Sequence, residues 1–233
     1  MNQPDHHHPS QTLLFDFVRG ELTTGISIVV SAHVDGCSTC KTTVSQLQER
    51  SSNEWYDASQ QHWDADFDSI LEQIVSQPVL PYAEPATIPP DDTRTQLYDR
   101  LVPLPRLLAQ IARRGLQWKE LVNGIHQALV PLDSSTKFEF VCMQPGARVP
   151  RHSHMGHEYM LVLEGSLCDE LGNYHAQDFV ERDRHHSHAQ VSEEGCVCLF
   201  VTDAPLKFSE GRARLLNPFN HLKHWWKTWR RQE

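Results

Sequence analysis

Three residues with metal-binding side chains stand close together near the start of the chain: His33, Cys37 and Cys40. The spacing His-x3-Cys-x2-Cys lets one imidazole nitrogen and two sulfurs reach a single ion when the segment bends at a turn or a helix start. Zn²⁺ prefers these ligands in a closed tetrahedron, and their softness favours zinc over calcium or magnesium. A fourth ligand is then needed, and the histidine run 6–8 is the obvious source.

The two cysteines could instead form a redox-active dithiol. Thioredoxin-like Cys-x-x-Cys motifs lie beside βαβ patterns, however, and no such pattern surrounds Cys37 and Cys40. Three further cysteines, Cys142, Cys196 and Cys198, fall in apolar, strand-like runs. We interpret these three as small core hydrophobes, because free cysteine is commonly buried in this way.

A second group of candidate ligands lies in the pattern Gly-x5-His-x-His-x3-Glu-x6-Gly, which supplies His152, His154 and Glu158. Alternate residues of a strand share one face, and a carboxylate just beyond the next turn can return to that face. The histidine cluster 185–188 can provide a fourth ligand from a neighbouring strand. Such a set suits Zn²⁺, Fe²⁺, Mn²⁺ or Ni²⁺, and the sequence does not choose among them. A chance pattern on a histidine-rich surface loop is the alternative, but five fixed positions in register argue against it.

The elements that must position these ligands differ between the two parts of the chain. Helical spacing of apolar residues predicts helices over residues 10–19, 26–34, 40–50 and 67–75. The segment 26–34 is rich in β-branched residues, yet a helix places His33 beside the core, so we predict a helix there. A polar stretch, 51–66, precedes the last helix, whose apolar stripe could pack in a core or contact a partner.

The later part of the chain has a different pattern, with short β-type runs at 137–143, 158–163 and 196–202 between turn signals. The proline-rich stretch 77–92 is the clearest linker. We therefore predict an α+β protein of two domains: a small helical metal-binding domain over 1–82, a linker over 83–95 and a β-barrel or sandwich over 96–233. The aromatic and basic segment 221–233 is predicted to be a terminal helix docked on its own domain.

Composition excludes several classes of protein. The formal charge of −9 over 233 residues disfavours a protein that grips a nucleic acid backbone. No apolar run is long enough to span a bilayer, and residues 1–5 lack the features of a signal peptide. We therefore expect a cytoplasmic protein without direct nucleic acid or membrane contacts.

The two ligand patterns together resemble a known family. The second pattern matches the first cupin motif, and residues 172–188 stand where the second cupin motif belongs, although its Pro-x-Gly is missing. The first pattern resembles the zinc-binding anti-sigma motif. Their order in one chain, with the local stretches 161–165 and 201–205, resembles the ChrR family of anti-sigma factors nearly end to end.

This resemblance implies a zinc-binding anti-sigma domain followed by a cupin β-barrel of jelly-roll type. It implies zinc in the first domain and zinc or another divalent transition metal in the second, with His157 and His186 as weaker alternatives to neighbouring ligands. The implied ligands are His8, His33, Cys37 and Cys40 in the first domain, and His152, His154, Glu158 and His188 in the second.

The function that the resemblance implies is inhibition of an extracytoplasmic-function sigma factor of the group-four type. The sigma factor would be released in response to singlet oxygen or organic hydroperoxides. The rival interpretation is a metal-dependent cupin enzyme, of dioxygenase or isomerase type, acting on a small molecule. A catalytic cupin does not need the His-x3-Cys-x2-Cys domain, so we expect a regulator rather than an enzyme.

Overall fold

The structure is a computed structural model that describes residues 7–59, 66–78 and 94–209. Four helices come first: α1 Gln11–Arg19, α2 Thr24–Gly36, α3 Ser38–Ser59 and α4 Asp66–Val75. The later elements are β1 Arg94–Leu97, β2 Arg100–Pro103, α5 Arg106–Ala112, β3 Trp118–Val122, β4 Ile125–Val130, β5 Lys137–Met143, β6 Ala147–His154, β7 Glu158–Asp169, β8 Gly172–His175, β9 Phe179–Arg182, β10 Ser187–Ser192, β11 Cys196–Thr202 and β12 Leu206–Phe208.

The first helix begins and ends as its sequence predicts, whereas α2 extends two residues beyond its predicted bounds of 26–34 at each end. Ser10 caps α1 by accepting a hydrogen bond from the Leu13 N–H, and Gly20 ends the helix in the left-handed conformation with φ 71°. The segment predicted as helix against its β propensity is α2, where Val29 and Val30 are fully buried. Burial of this apolar face outweighs the small helix penalty of β-branched residues.

The third helix is longer than the sequence indicated. Its predicted end at Arg50 is wrong, because α3 continues through the polar stretch to Ser59. Polar residues of this stretch need no burial to remain helical, and Arg50 and Glu54 form an i,i+4 ion pair on its exposed surface. Trp55 and Tyr56 are exposed on this extension.

Among the described residues, ten strands form one antiparallel sheet in the order β12-β6-β10-β7-β11-β5-β4-β3, with β8 and β9 also paired to β7. The sheet curls around an interior cluster that includes Met160, Val162, Tyr174 and Phe200. Helices followed by a curled antiparallel sheet confirm the predicted α+β class with a cupin-type barrel. Strands β1 and β2 form a separate two-stranded sheet.

The N-terminal helices share a hydrophobic core with the sheet. One cluster joins Val29 and Val30 of α2 to Leu199 and Val201 of β11. The intervening residues of β11, such as Cys198, belong to the barrel interior, so the helices pack on the outer face of the sheet. This close packing explains Gly25, where a Cβ would lie 2.5 Å from Thr136 Oγ1.

The division into domains at 1–82, 83–95 and 96–233 stays a prediction. Most of the proposed linker lies outside the described residues, and β1 already begins at Arg94. The predicted terminal helix over 221–233 also lies outside them.

Within the described ranges, no helix is long and apolar enough to cross a membrane. Cys142, Cys196 and Cys198 are buried, as expected of core residues.

Candidate metal centres

Four of the predicted ligands converge in a cluster that we call the Cys cluster: His8, His33, Cys37 and Cys40. His8 Nδ1 lies 3.4 Å from His33 Nε2 and 3.5 Å from each of the two sulfurs. Bond lengths of about 2.0–2.1 Å to nitrogen and about 2.3 Å to sulfur imply ligand separations of roughly 3.3–3.8 Å in a tetrahedron. The observed spacing therefore fits one tetrahedral ion.

Three local structures deliver these ligands. His8 precedes the cap of α1, His33 lies in the last turns of α2, and the two cysteines lie where α2 gives way to α3. The Cys40 N–H donates to Cys37 Sγ over 3.4 Å, which fixes the position of this sulfur at the start of α3. His33 Nδ1 donates to the Gln177 carbonyl over 2.9 Å, which turns Nε2 toward the other three ligand atoms.

The electrostatics of the Cys cluster favour a bound cation. Burial, followed by the neighbouring Cys37, raises the pKa of the Cys40 thiol to about 12. A thiolate at this position therefore needs a compensating positive charge. Zn²⁺ would supply that charge and displace the thiol proton, and four protein ligands would leave no position for a substrate.

The other four predicted ligands form what we call the cupin cluster, and all of them are buried: His152, His154, Glu158 and His188. Nε2 of His188 lies 3.1 Å from Nε2 of His154 and 3.9 Å from Oε1 of Glu158. His154 Nδ1 and Glu158 Oε1 are buried without a hydrogen-bond partner. Because unpaired buried polar atoms are costly, a coordinated cation fits this set of side chains.

The barrel strands set the orientation of the cupin ligands. His152 on β6 lies opposite His188 on β10 in the strand register. His152 Nδ1 donates to the Pro150 carbonyl and His188 Nδ1 to Asp169 Oδ2, each over 2.9 Å, so that both Nε2 atoms face the cluster. The motif glycine Gly165 has φ 78°, and a Cβ there would collide with the backbone of strand β11.

Burial shifts the protonation of the cupin cluster. Desolvation lowers the pKa of His152 to about 4 and that of His154 to about 3. It also raises the pKa of Glu158 to about 8, with a further contribution from nearby Glu139. At neutral pH the two imidazoles are therefore ready to bind a cation, whereas Glu158 must lose a proton to become a carboxylate ligand.

Because one proton must leave Glu158, metal affinity at the cupin cluster should rise with pH. Between about pH 5 and the Glu158 pKa of about 8, we expect the metal affinity to increase about tenfold per pH unit. Calorimetric titration of Co²⁺ into protein whose Cys cluster already holds zinc would measure this. Glu158→Gln should bind more weakly with a flatter pH profile, and a pH-independent affinity in the wild type would contradict the assignment.

The alternative histidines contact other partners. His157 Nδ1 pairs with Asp203 at 3.1 Å and His186 Nδ1 with Asp183 at 2.7 Å. Of the histidine cluster 185–188, His188 joins the other cupin ligands. His7 contacts Asp178, and His6 lies outside the described residues. A cavity of about 590 Å³ is lined by Met155, Gly156, His157, Asp183, Arg184, His185, Asp203 and Ala204, and none of the cupin-cluster residues lines it.

The sequence did not indicate the groups that hold the ligands in place. The Gln177 carbonyl cannot be recognised in a sequence, because every residue carries one. Asp169 is a buried carboxylate whose pKa lies below its usual range although burial alone would raise it, since His188, the Leu171 N–H and Tyr174 donate hydrogen bonds to it. Only the fold brings Asp169 to His188.

Comparison with known proteins identifies the family. Residues 108–207 match the ChrR cupin-like domain. Anti-sigma-E factor ChrR of Cereibacter sphaeroides is 30% identical over 218 residues, which cover 91% of this chain and 97% of the relative. The solved structure of Rhodobacter sphaeroides SigE in complex with the anti-sigma ChrR matches with a TM-score of 0.67 at 26% identity, over 84% of this chain and 98% of the other. The chain therefore belongs to the ChrR family of anti-sigma factors.

Proposed function

We propose that this protein acts in the cytoplasm, where it binds a sigma factor of the extracytoplasmic-function class, group-four type, and keeps it from RNA polymerase. The observation that carries the proposal is the exposed apolar face of α4. A sigma factor is the partner found with the related ChrR in the solved complex. Membership of a family of regulators also favours this function over catalysis by the cupin domain.

The apolar face of α4 consists of Phe67, Ile70, Leu71, Ile74 and Val75, which recur at helical spacing. Their exposed fractions range from 47% to 73%. A contiguous apolar stripe of this kind on a soluble protein usually marks a site where another protein binds. Asp68 and Glu72 on the same helix would speed the approach of a basic surface.

The proposed cofactors follow from the two clusters. We propose zinc at His8, His33, Cys37 and Cys40, where it would stabilise the fold of the N-terminal helices. We propose zinc or another divalent transition metal at His152, His154, Glu158 and His188. The sigma factor would be released when singlet oxygen or an organic hydroperoxide reaches the protein, since thiolates and metal-bound imidazoles are oxidation targets.

Replacing apolar residues of α4 should impair sigma binding more than removing its charges. The variant Ile70→Asp/Ile74→Asp should weaken affinity about 100-fold or more, because it places charge in the desolvated centre of the interface. The control Asp68→Asn/Glu72→Gln alters charge on the same helix and should change affinity by less than about tenfold. In vitro transcription with the sigma factor and RNA polymerase measures the loss of inhibition. Equal inhibition by the wild type and the Ile variant would contradict the proposed interface.

A further inference from the structure

Strands β8 and β9 and the turn between them, residues 172–182, pair along β7 and contact the Cys cluster directly; we call this stretch the β8–β9 segment. The Gln177 carbonyl accepts the hydrogen bond from ligand His33. The Phe179 N–H donates to the His7 carbonyl over 2.9 Å, and the His7 N–H donates to Asp178 Oδ1 over 3.1 Å. Because His7 directly precedes His8, the β8–β9 segment fixes the backbone beside the candidate ligand His8 and the ring of the candidate ligand His33.

The turn between β8 and β9 is held in an uncommon conformation. Gln177 has φ 78°, a left-handed value that a residue with a side chain adopts at an energetic cost. Asp178 is buried and stabilises the turn, because its Oδ2 accepts the His175 N–H over 2.7 Å. The side chain of Gln177 also packs against Gly36, the residue before ligand Cys37, where an added Cβ would collide with it.

The β8–β9 segment also reaches the cupin cluster, through Tyr174. The Tyr174 hydroxyl donates to Asp169 Oδ1 over 2.9 Å, and Asp169 Oδ2 accepts the hydrogen bond from ligand His188. On its other side, the Tyr174 ring lies 5.0 Å from the ring of His7 in an edge-on arrangement. Contacts therefore run without a break from His8 through His7, Tyr174 and Asp169 to His188.

We propose that the β8–β9 segment couples the two metal centres, so that a metal ion at the cupin cluster strengthens metal binding at the Cys cluster. Asp178 is the positioning residue for His8, and Tyr174 is the link to Asp169 and His188. This proposal rests on the metal occupancy given under the proposed function. Its physical basis is that groups contacting a ligand fix its orientation, and their loss commonly reduces metal affinity by about 10- to 100-fold.

The test uses the full chain with Co²⁺ as the probe, because only the Cys cluster can give cobalt–thiolate absorbance. Co²⁺ is titrated into the metal-free chain in competition with a chelator, first in the wild type, where it can also fill the cupin cluster, and then in Glu158→Gln, which weakens that cluster. We expect the Cys cluster of the wild type to bind Co²⁺ at least about fivefold more tightly than that of Glu158→Gln. Equal affinities would overturn the proposal.

Two variants test the named residues. Asp178→Asn should weaken Co²⁺ binding at the Cys cluster by about 10- to 100-fold, because an amide cannot accept both backbone hydrogen bonds. Tyr174→Phe keeps the ring and removes the hydroxyl. In this variant, adding Glu158→Gln should therefore no longer change the Co²⁺ affinity of the Cys cluster. Asp183→Asn changes a partly exposed aspartate in the loop after β9; it is the matched control and should behave as the wild type.

Circular dichroism of each variant checks that the chain is folded. Folded Asp178→Asn with wild-type affinity at the Cys cluster would overturn the role of that residue. If Glu158→Gln weakens Co²⁺ binding at the Cys cluster as much in Tyr174→Phe as in the wild type, the role of Tyr174 as the link between the clusters would be overturned. The sigma factor is absent from these titrations, so a failure of coupling and a failure of sigma binding appear in separate measurements.

Discussion

Replacing Cys37 and Cys40 together with serine is expected to abolish metal binding at the Cys cluster and to unfold the N-terminal helices. Serine hydroxyls are poor zinc ligands, and the metal would contribute much of the folding free energy of a short helical unit. We expect the free energy of unfolding of this part of the chain to fall by more than about 4 kcal/mol. Metal analysis should show the loss of one zinc ion per chain, and urea unfolding should show the loss of stability.

Cys168→Ser is a matched control, because Cys168 is a half-buried cysteine outside both clusters. It should retain both metal ions and change the free energy of unfolding by less than about 1 kcal/mol. A Cys37→Ser/Cys40→Ser protein that keeps its full metal content and its urea midpoint would contradict the assignment of the Cys cluster.

The second large effect is expected from Phe179→Ala. Phe179 is almost fully buried in the core shared by helices and sheet, and its ring lies 5.6 Å from that of His33. Truncation would lose buried apolar surface and leave a cavity, which typically costs about 3–5 kcal/mol. We expect this loss in the free energy of unfolding from urea titration, together with weaker zinc retention at the Cys cluster.

The same truncation at an exposed position provides the comparison. Phe15 lies on α1 and is 45% exposed, with the Arg19 guanidinium over its ring. Phe15→Ala should cost less than about 1 kcal/mol. If Phe179→Ala destabilised the protein no more than Phe15→Ala, the shared core would not hold the helices on the barrel.

The convergence of the candidate ligands and the presence of the first four helices could be predicted from the sequence, because their physical requirements are local. A tetrahedral thiolate–imidazole site demands particular residue types at short spacings, as at Cys37 and Cys40. Strand alternation likewise places His152 and His154 on one face. The longer α3 was missed because a polar, exposed helix leaves no apolar periodicity to read.

The docking of the helices on the barrel could not be predicted. Apolar residues such as Val29 and Leu199 are recognisable as core residues, but nothing local indicates that they share one core. The same holds for the cap of α2, where Asp133 from the loop before β5 accepts the Gly25 N–H over 2.9 Å. Contacts between residues so distant along the chain depend on the tertiary fold rather than on any local pattern.

The most direct test of the central claim is co-purification of the full chain with an extracytoplasmic-function sigma factor of the group-four type, ideally one encoded beside it. We expect a stable, zinc-containing complex with the wild type and none with Cys37→Ser/Cys40→Ser. The absence of a complex with the zinc-loaded wild-type chain would contradict the claim.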